Sequence, residues 1–142
     1  MEIKDSDVVN VLKNDGVKNI DKTKLRKYEN ISSININDLR KEFGDGSWAV
    51  RIAYNNDFGG VLIQQLPGEG NRLHYHEHAD ENWVILEGKW KWKIEGEGEM
   101  VVEKGSIIVV KRNTWHQITC IGDSPGIRYA ITVPDVEHIY KK

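Results

Sequence analysis

From residue 48 onward the chain is written in short apolar runs broken by glycine: WAVRIAY, GGVLIQQL, ENWVILEG, KWKWKIEG, EMVVEKG, SIIVVK, HQITCIG and IRYAITV. Each is rich in β-branched and aromatic residues, which fit a pleated, half-buried surface, so each predicts a strand. KWKWKIE alternates most strictly. Lys89, Lys91, Lys93 and Glu95 fall on one face, and Trp90, Trp92 and Ile94 on the other. That period of two predicts one wet face and one buried face. Eight such runs at short spacing predict an all-β sandwich or barrel, with a jelly roll among the candidates.

The first 45 residues read differently. DSDVVNVLKNDG offers Asp5 or Ser6 as an N-cap, Val8, Val9 and Leu12 on one face, and Gly16 as a stop. NINDLRKEFG repeats the form, with Asn37 as a cap, Leu39 and Phe43 four apart, and Gly44 at the end. These are short helices, suited to packing on the outside of another element or on a partner subunit.

Composition narrows the classes. The 142 residues suffice for one domain with a real core. A net charge of −2 argues against a dedicated nucleic-acid binder, which carries a basic excess. No run approaches the ~18 apolar residues of a membrane span. The start, MEIKDSDVV, lacks the basic and apolar regions of a signal peptide. The single cysteine, Cys120, allows no internal disulfide. A cytoplasmic protein is the expectation.

The candidate chemistry lies in HYHEHADEN, residues 74–82. In an extended segment, residues two apart share a face, so His74 and His76 project together and Tyr75 turns away. Glu81 opens the next strand and can face back toward them. Two imidazoles and a carboxylate converging on one point suit a divalent transition metal. A further ligand must come from elsewhere, and only His116 and His138 remain beyond the cluster. The competing reading is a polar turn with an ordinary surface histidine.

The spacing decides between the two. Gly68, His74, His76, Glu81 and Gly88 match G-x5-H-x-H-x4-E-x6-G at every position. Gly105 and His116 match part of G-x5-P-x-G-x2-H-x3-N, with Lys111, Asn113 and Cys120 at the proline, glycine and asparagine positions. Asn113 can adopt the left-handed backbone that a glycine would supply there. In these two motifs the chain resembles the cupin superfamily over roughly residues 48–134. The resemblance implies an all-β, double-stranded β-helix (jelly-roll) barrel with the short N-terminal helices packed outside. It divides the chain into residues 1–45, part of the same domain or a dimer contact, and residues 46–142, the barrel. It implies His74, His76, Glu81 and His116 as metal ligands, with one divalent transition metal per chain. Fe(II) comes first, with Mn, Zn, Ni or Co as alternatives. Four ligands leave one or two positions for water or substrate, as in a catalytic site.

Other residues take secondary roles in this reading. His78 shares parity with His76 but falls outside the motif, and could act as an acid or base at the rim. Tyr129 is the other candidate proton carrier, against a plain barrel role. In IRYAITV either Ile127, Tyr129 and Ile131 face inward, or Arg128, Ala130 and Thr132 do. An inward Arg128 would bind a carboxylate or phosphate. Gln64 and Gln65 alternate, so one of them faces in; Gln64 is the candidate substrate contact. Trp83 shares parity with Glu81 and could line the cavity, against a core role. His138 reads as a surface residue and Cys120 as inert.

The functional expectation is a metal-dependent enzyme acting on a small polar, possibly anionic, molecule bound at the metal. Oxygenase chemistry stands ahead of redox-neutral isomerase or lyase chemistry on a sugar or small acid. A non-catalytic binding module is the alternative class. The partners expected are a small-molecule ligand and a second copy in a homodimer, with no nucleic acid and no membrane.

Overall fold

The computed structural model describes residues 2–141. Two sheets face each other. One holds six strands: β1 (Glu2–Asp5), β11 (His138–Lys141), β4 (His74–Tyr75), β9 (His116–Ile121), β6 (Lys89–Ile94) and β7 (Gly98–Glu103), in that spatial order. The other holds five: β2 (Trp48–Tyr54), β3 (Gly59–Gln65), β10 (Gly126–Thr132), β5 (Glu81–Glu87) and β8 (Ile107–Val110). Every named pairing is antiparallel. Only β2–β3 and β6–β7 are neighbours in both sequence and sheet; the other connections from β3 onward cross between sheets. This is the jelly-roll winding of a double-stranded β-helix. It brings side chains from distant parts of the chain into one interior.

All eight apolar runs form strands, and their alternation sets the core. On β6, Trp90 and Trp92 are fully buried between the sheets while Lys89 and Lys93 lie outside. Two strands were not anticipated: β1 and β11 form from polar termini that pair with each other across the chain. The extended segment expected around His74 is the strand β4, only two residues long.

The N-terminal residues play two parts. α1 (Val8–Asn14) is capped by Asp7, whose carboxylate accepts from the N–H groups of Val9 and Asn10, rather than by Asp5 or Ser6. Its Val9 and Leu12, with Val17, Ile20 and Leu25, share one apolar cluster with Trp83, Trp90 and Trp92 of the interior. α2 (Lys22–Arg26) follows, a turn and a half of helix that the sequence pattern did not predict. α3 (Ile36–Phe43) starts at Asn35, not Asn37, and ends at Gly44. It lies on the outer face of the five-stranded sheet, where Leu39 packs with Trp48, Val50, Leu62 and Ile127. Burying each of these side chains contributes roughly 1.5–3 kcal/mol. The strands β3 and β10 are therefore covered on both faces, which matters for the site.

Candidate metal centre

β4 is short but sufficient. His74 stands directly across from His116 on β9, with ring centroids 4.2 Å apart. Tyr75 points out and packs edge-on against Trp115 at 4.6 Å. The chain then leaves the sheet at His76, whose carbonyl accepts from the N–H of Asn113 at 2.7 Å. Asn113 holds φ at 61°, the left-handed conformation expected at this departure from the motif. Glu81 opens β5 in the opposite sheet and points back. Its Oε1 lies 3.0 Å from His76 Nε2 and 3.1 Å from His116 Nε2. One ligand atom from each of His74, His76, Glu81 and His116 lies within 4.8 Å of the others. All four residues are at least 96% buried.

These residues fit a metal, and the hydrogen bonds say why. Nδ1 of His74 donates to the Arg72 carbonyl (2.6 Å), that of His76 to the Glu137 carbonyl (2.8 Å), and that of His116 to the Thr114 carbonyl (2.9 Å). A carbonyl only accepts, so each Nδ1 carries the hydrogen, and Nε2 is the atom each ring turns toward the others and has free, once deprotonated, to give a lone pair to a metal. Three Nε2 atoms and a carboxylate then face one another. Despite its 3.0 Å approach to Glu81, Nε2 of His76 is a buried polar atom with no properly aligned hydrogen-bond partner. Such a cluster needs a cation. The charges agree. Burial and the neighbouring imidazoles His116, His138 and His76 hold His74 far below its ordinary value. Burial alone would raise Glu81, but His76 and His116 outweigh it and keep the carboxylate ionised. At His76 burial is likewise overcome by the Glu81 carboxylate, and its value rises.

A cavity opens from this cluster. Val8, Val11 and Leu12 of α1 form one wall; Val61, Ile63, Trp83 and Ala130 of the five-stranded sheet form another. Arg128 also lines it and is 1% exposed. Its Nε and Nη2 donate to Gln65 Oε1 at 3.1 and 2.8 Å, and its guanidinium lies 4.7 Å from the Trp83 ring. Trp83 in turn donates from Nε1 to Glu81 Oε1 at 3.3 Å. Burial lowers Arg128 to about 10, which leaves it charged at neutral pH.

Three expectations are corrected here. Gln64 does not reach the cavity. Its amide donates outward to the carbonyls of Gly44 and Gly46, and the inward glutamine is Gln65. Tyr129 stands on the opposite face of β10 from Arg128, in the outer cluster, with its hydroxyl over Gly60, where a Cβ would sit 2.3 Å away. Period two forces this once Arg128, Ala130 and Thr132 face in. His78 lies at the surface beside Glu77, its side chain 85% exposed. The parity argument failed because β4 ends at Tyr75.

Two cavity residues were missed. His138, expected at the surface, lines the cavity with its ring centroid 4.8 Å from that of His74 and 4.6 Å from that of His76. Burial, then the nearby His76, holds it down at about 4, so it is neutral. Asp15, for which no role was expected, also faces the cavity. Neither had a local sequence signal. β11 reaches the site because it pairs with β4, and Asp15 because α1 docks across the barrel opening.

A jelly-roll barrel holding three imidazoles and one carboxylate defines a class, and comparison with known proteins agrees. The family model for the cupin domain matches residues 61–132. The chain belongs to the cupin superfamily. It is similar to an uncharacterized conserved protein with a double-stranded β-helix domain from Klebsiella pneumoniae (17% identity, 84% of this chain and 93% of that one, TM-score 0.63). It is also similar to KdgF from a Halomonas species (20% identity, 63% and 81% covered, TM-score 0.57). A sugar phosphate isomerase of the cupin superfamily from Silicibacter pomeroyi shares 25% identity over 54% of this chain and 50% of that one, with TM-score 0.51. No curated protein sequence matches. No helix among the described residues is long and apolar enough to cross a membrane.

Proposed function

We propose that this cupin is a metal-dependent enzyme that converts a small anionic molecule inside the cavity, through redox-neutral isomerase or lyase chemistry on a sugar or small acid. The observation that carries the reading is Arg128. It is a fully buried cation, no carboxylate of the described residues forms an ion pair with it, and its Nη1 has no hydrogen-bond partner among them. Buried charges are ordinarily paired, so an anionic ligand is the natural partner. His74, His76, Glu81 and His116 would hold the metal, which when bound supplies a Lewis acid to polarise a substrate oxygen. Gln65 fixes the guanidinium, Trp83 supports it from below, and α1 keeps bulk water from the wall. The likeness to a sugar phosphate isomerase supports the redox-neutral reading. The apolar wall of Val8, Val11, Leu12 and Val61 supports the oxygenase as a second reading, since such a wall suits dioxygen. Fe(II) is the first metal on that reading, and Mn, Zn, Ni or Co fit the first equally.

The test uses untagged protein, its metal measured, incubated with small hydroxy acids and sugar phosphates. Product formation followed by NMR in D2O, with no oxygen consumed, supports the proposal. Oxygen uptake supports the second reading. Retention of full anion affinity by Arg128→Met would contradict the substrate class. A homodimer is proposed through the outer face of β8, the end strand of its sheet, where Ile107 and Val109 are 68% and 61% exposed.

A further inference from the structure

Asp15 lies outside both cupin motifs, at the C-terminal end of α1. Its N–H closes the helix on the Val11 carbonyl at 3.0 Å, and two further contacts tie it to the barrel. Its carbonyl accepts from Gln65 Nε2 at 3.2 Å, and its Oδ1 accepts from the N–H of Arg72 at 3.2 Å. Its Oδ2 has no hydrogen-bond partner among the described residues, and the residue lines the cavity that also holds Arg128, His74 and Glu81. Gln65 therefore touches both charged residues: its amide oxygen holds the Arg128 guanidinium and its amide nitrogen holds the Asp15 backbone. A single glutamine thus fixes the spacing between a cation and a carboxyl that do not form an ion pair. A pair built only for stability would touch. Here each keeps an unpaired polar atom, Nη1 on one and Oδ2 on the other, beside the same cavity.

We propose that Asp15 is the proton carrier of this site: it takes up a proton as an anion settles on Arg128 and holds that proton against the bound molecule. This rests on the anionic-substrate reading above. In a redox-neutral rearrangement the protonated Oδ2 donates this proton to a substrate oxygen, whose lone pair forms the new O–H bond, and Oδ2 is left ionised. The ionised Oδ2 then accepts a proton from a substrate C–H, and the electron pair of the broken bond stays on the substrate, so the proton count is restored, no electrons leave and no co-reactant is required. The surroundings suit the role. Burial raises the carboxyl to about 7, against the opposing pull of Arg128 and Arg72, while Glu81 adds to the rise. Tyr140 of β11, kept neutral by its own burial, lies within electrostatic reach, and the low-lying His74 and His138 line the same cavity with Arg51, Tyr54 and Asp135. A proton carrier works best with a value near the working pH.

The test is calorimetric titration of the metal-containing protein with glycolate, at about pH 6 and about pH 8, in buffers of different ionisation enthalpy. Wild type should take up close to one proton per glycolate at the higher pH, with affinity falling roughly tenfold between the two. Asp15→Asn, which keeps the acceptor for Arg72, should take up none and bind equally at both. Arg128→Met should lose affinity at both. An Asp15→Asn variant that keeps the wild-type proton uptake overturns the proposal and leaves the anion reading standing. Failure of glycolate to bind wild type, or full binding by Arg128→Met, overturns both. Carboxyl carbon NMR gives an independent readout: one aspartate should titrate near neutrality and vanish in Asp15→Asn, and the absence of any such signal sinks the role.

Discussion

Asp15 also makes a prediction about stability that needs no substrate. Its carboxyl moves from 3.8 to about 7 on folding, chiefly by burial. A raised value means that the folded chain holds the proton more tightly than the unfolded one. The associated stability is present below the unfolded value, 3.8, and is lost as pH rises to about 7. At ~1.4 kcal/mol per unit the full loss is about 4 kcal/mol, a ceiling because water reaches the cavity mouth. Between about pH 5 and pH 8, some two units of that range are crossed, and we expect about 2 kcal/mol after the discount. Asp15→Asn, nearly isosteric and without a charge, removes this dependence. Other groups titrate in the same window, His138 and His76 among them, so absolute profiles are not diagnostic. The difference between the two proteins is. The assay is urea denaturation of both apo proteins in chelator, read by tryptophan fluorescence at each pH. The variant should gain on wild type steadily as pH rises. A difference that stays constant within about 0.5 kcal/mol would refute the reasoning, since the carboxyl would then be solvated as in the unfolded chain.

Other consequences follow from the same geometry. Glu81→Ala should reduce bound metal from one per chain to a small fraction by elemental analysis, while circular dichroism keeps its β signature; retained stoichiometry contradicts the ligand set. Gly70→Ala should destabilise by about 3 kcal/mol or more in urea, because its Cβ would sit 1.9 Å from the Ile118 carbonyl oxygen. Relief of that clash would disturb the Asn71–Ile118 bonds at 3.0 and 2.7 Å and the Gln65–Gly70 bond at 3.0 Å. Gln65→Leu leaves the Arg128 guanidinium without its two anchors and should weaken glycolate binding by roughly tenfold or more in the calorimeter. Ile107→Lys with Val109→Lys should give a monomer by light scattering if the outer face of β8 is the dimer contact.

Local pattern was enough for much of this protein. Alternation placed the strands from 48 onward, and where one face meets solvent, as on β6, it also told which side is buried. Motif spacing picked out His74, His76, Glu81 and His116, because a strand's period and a fixed loop leave little freedom over so few residues. Only the tertiary structure decided the rest. On β3 and β10 both faces are buried, one under α3 and one in the cavity, so alternation loses its phase. That is why Gln64 was exchanged for Gln65 and why the two readings of IRYAITV stayed open. His138 and Asp15 come from segments whose local chemistry is polar and unremarkable. They belong to the cavity because β11 pairs with β4 and α1 closes the barrel, contacts between residues fifty or more positions apart in the chain. Such contacts are set by the burial of whole elements, and no window of the sequence contains them.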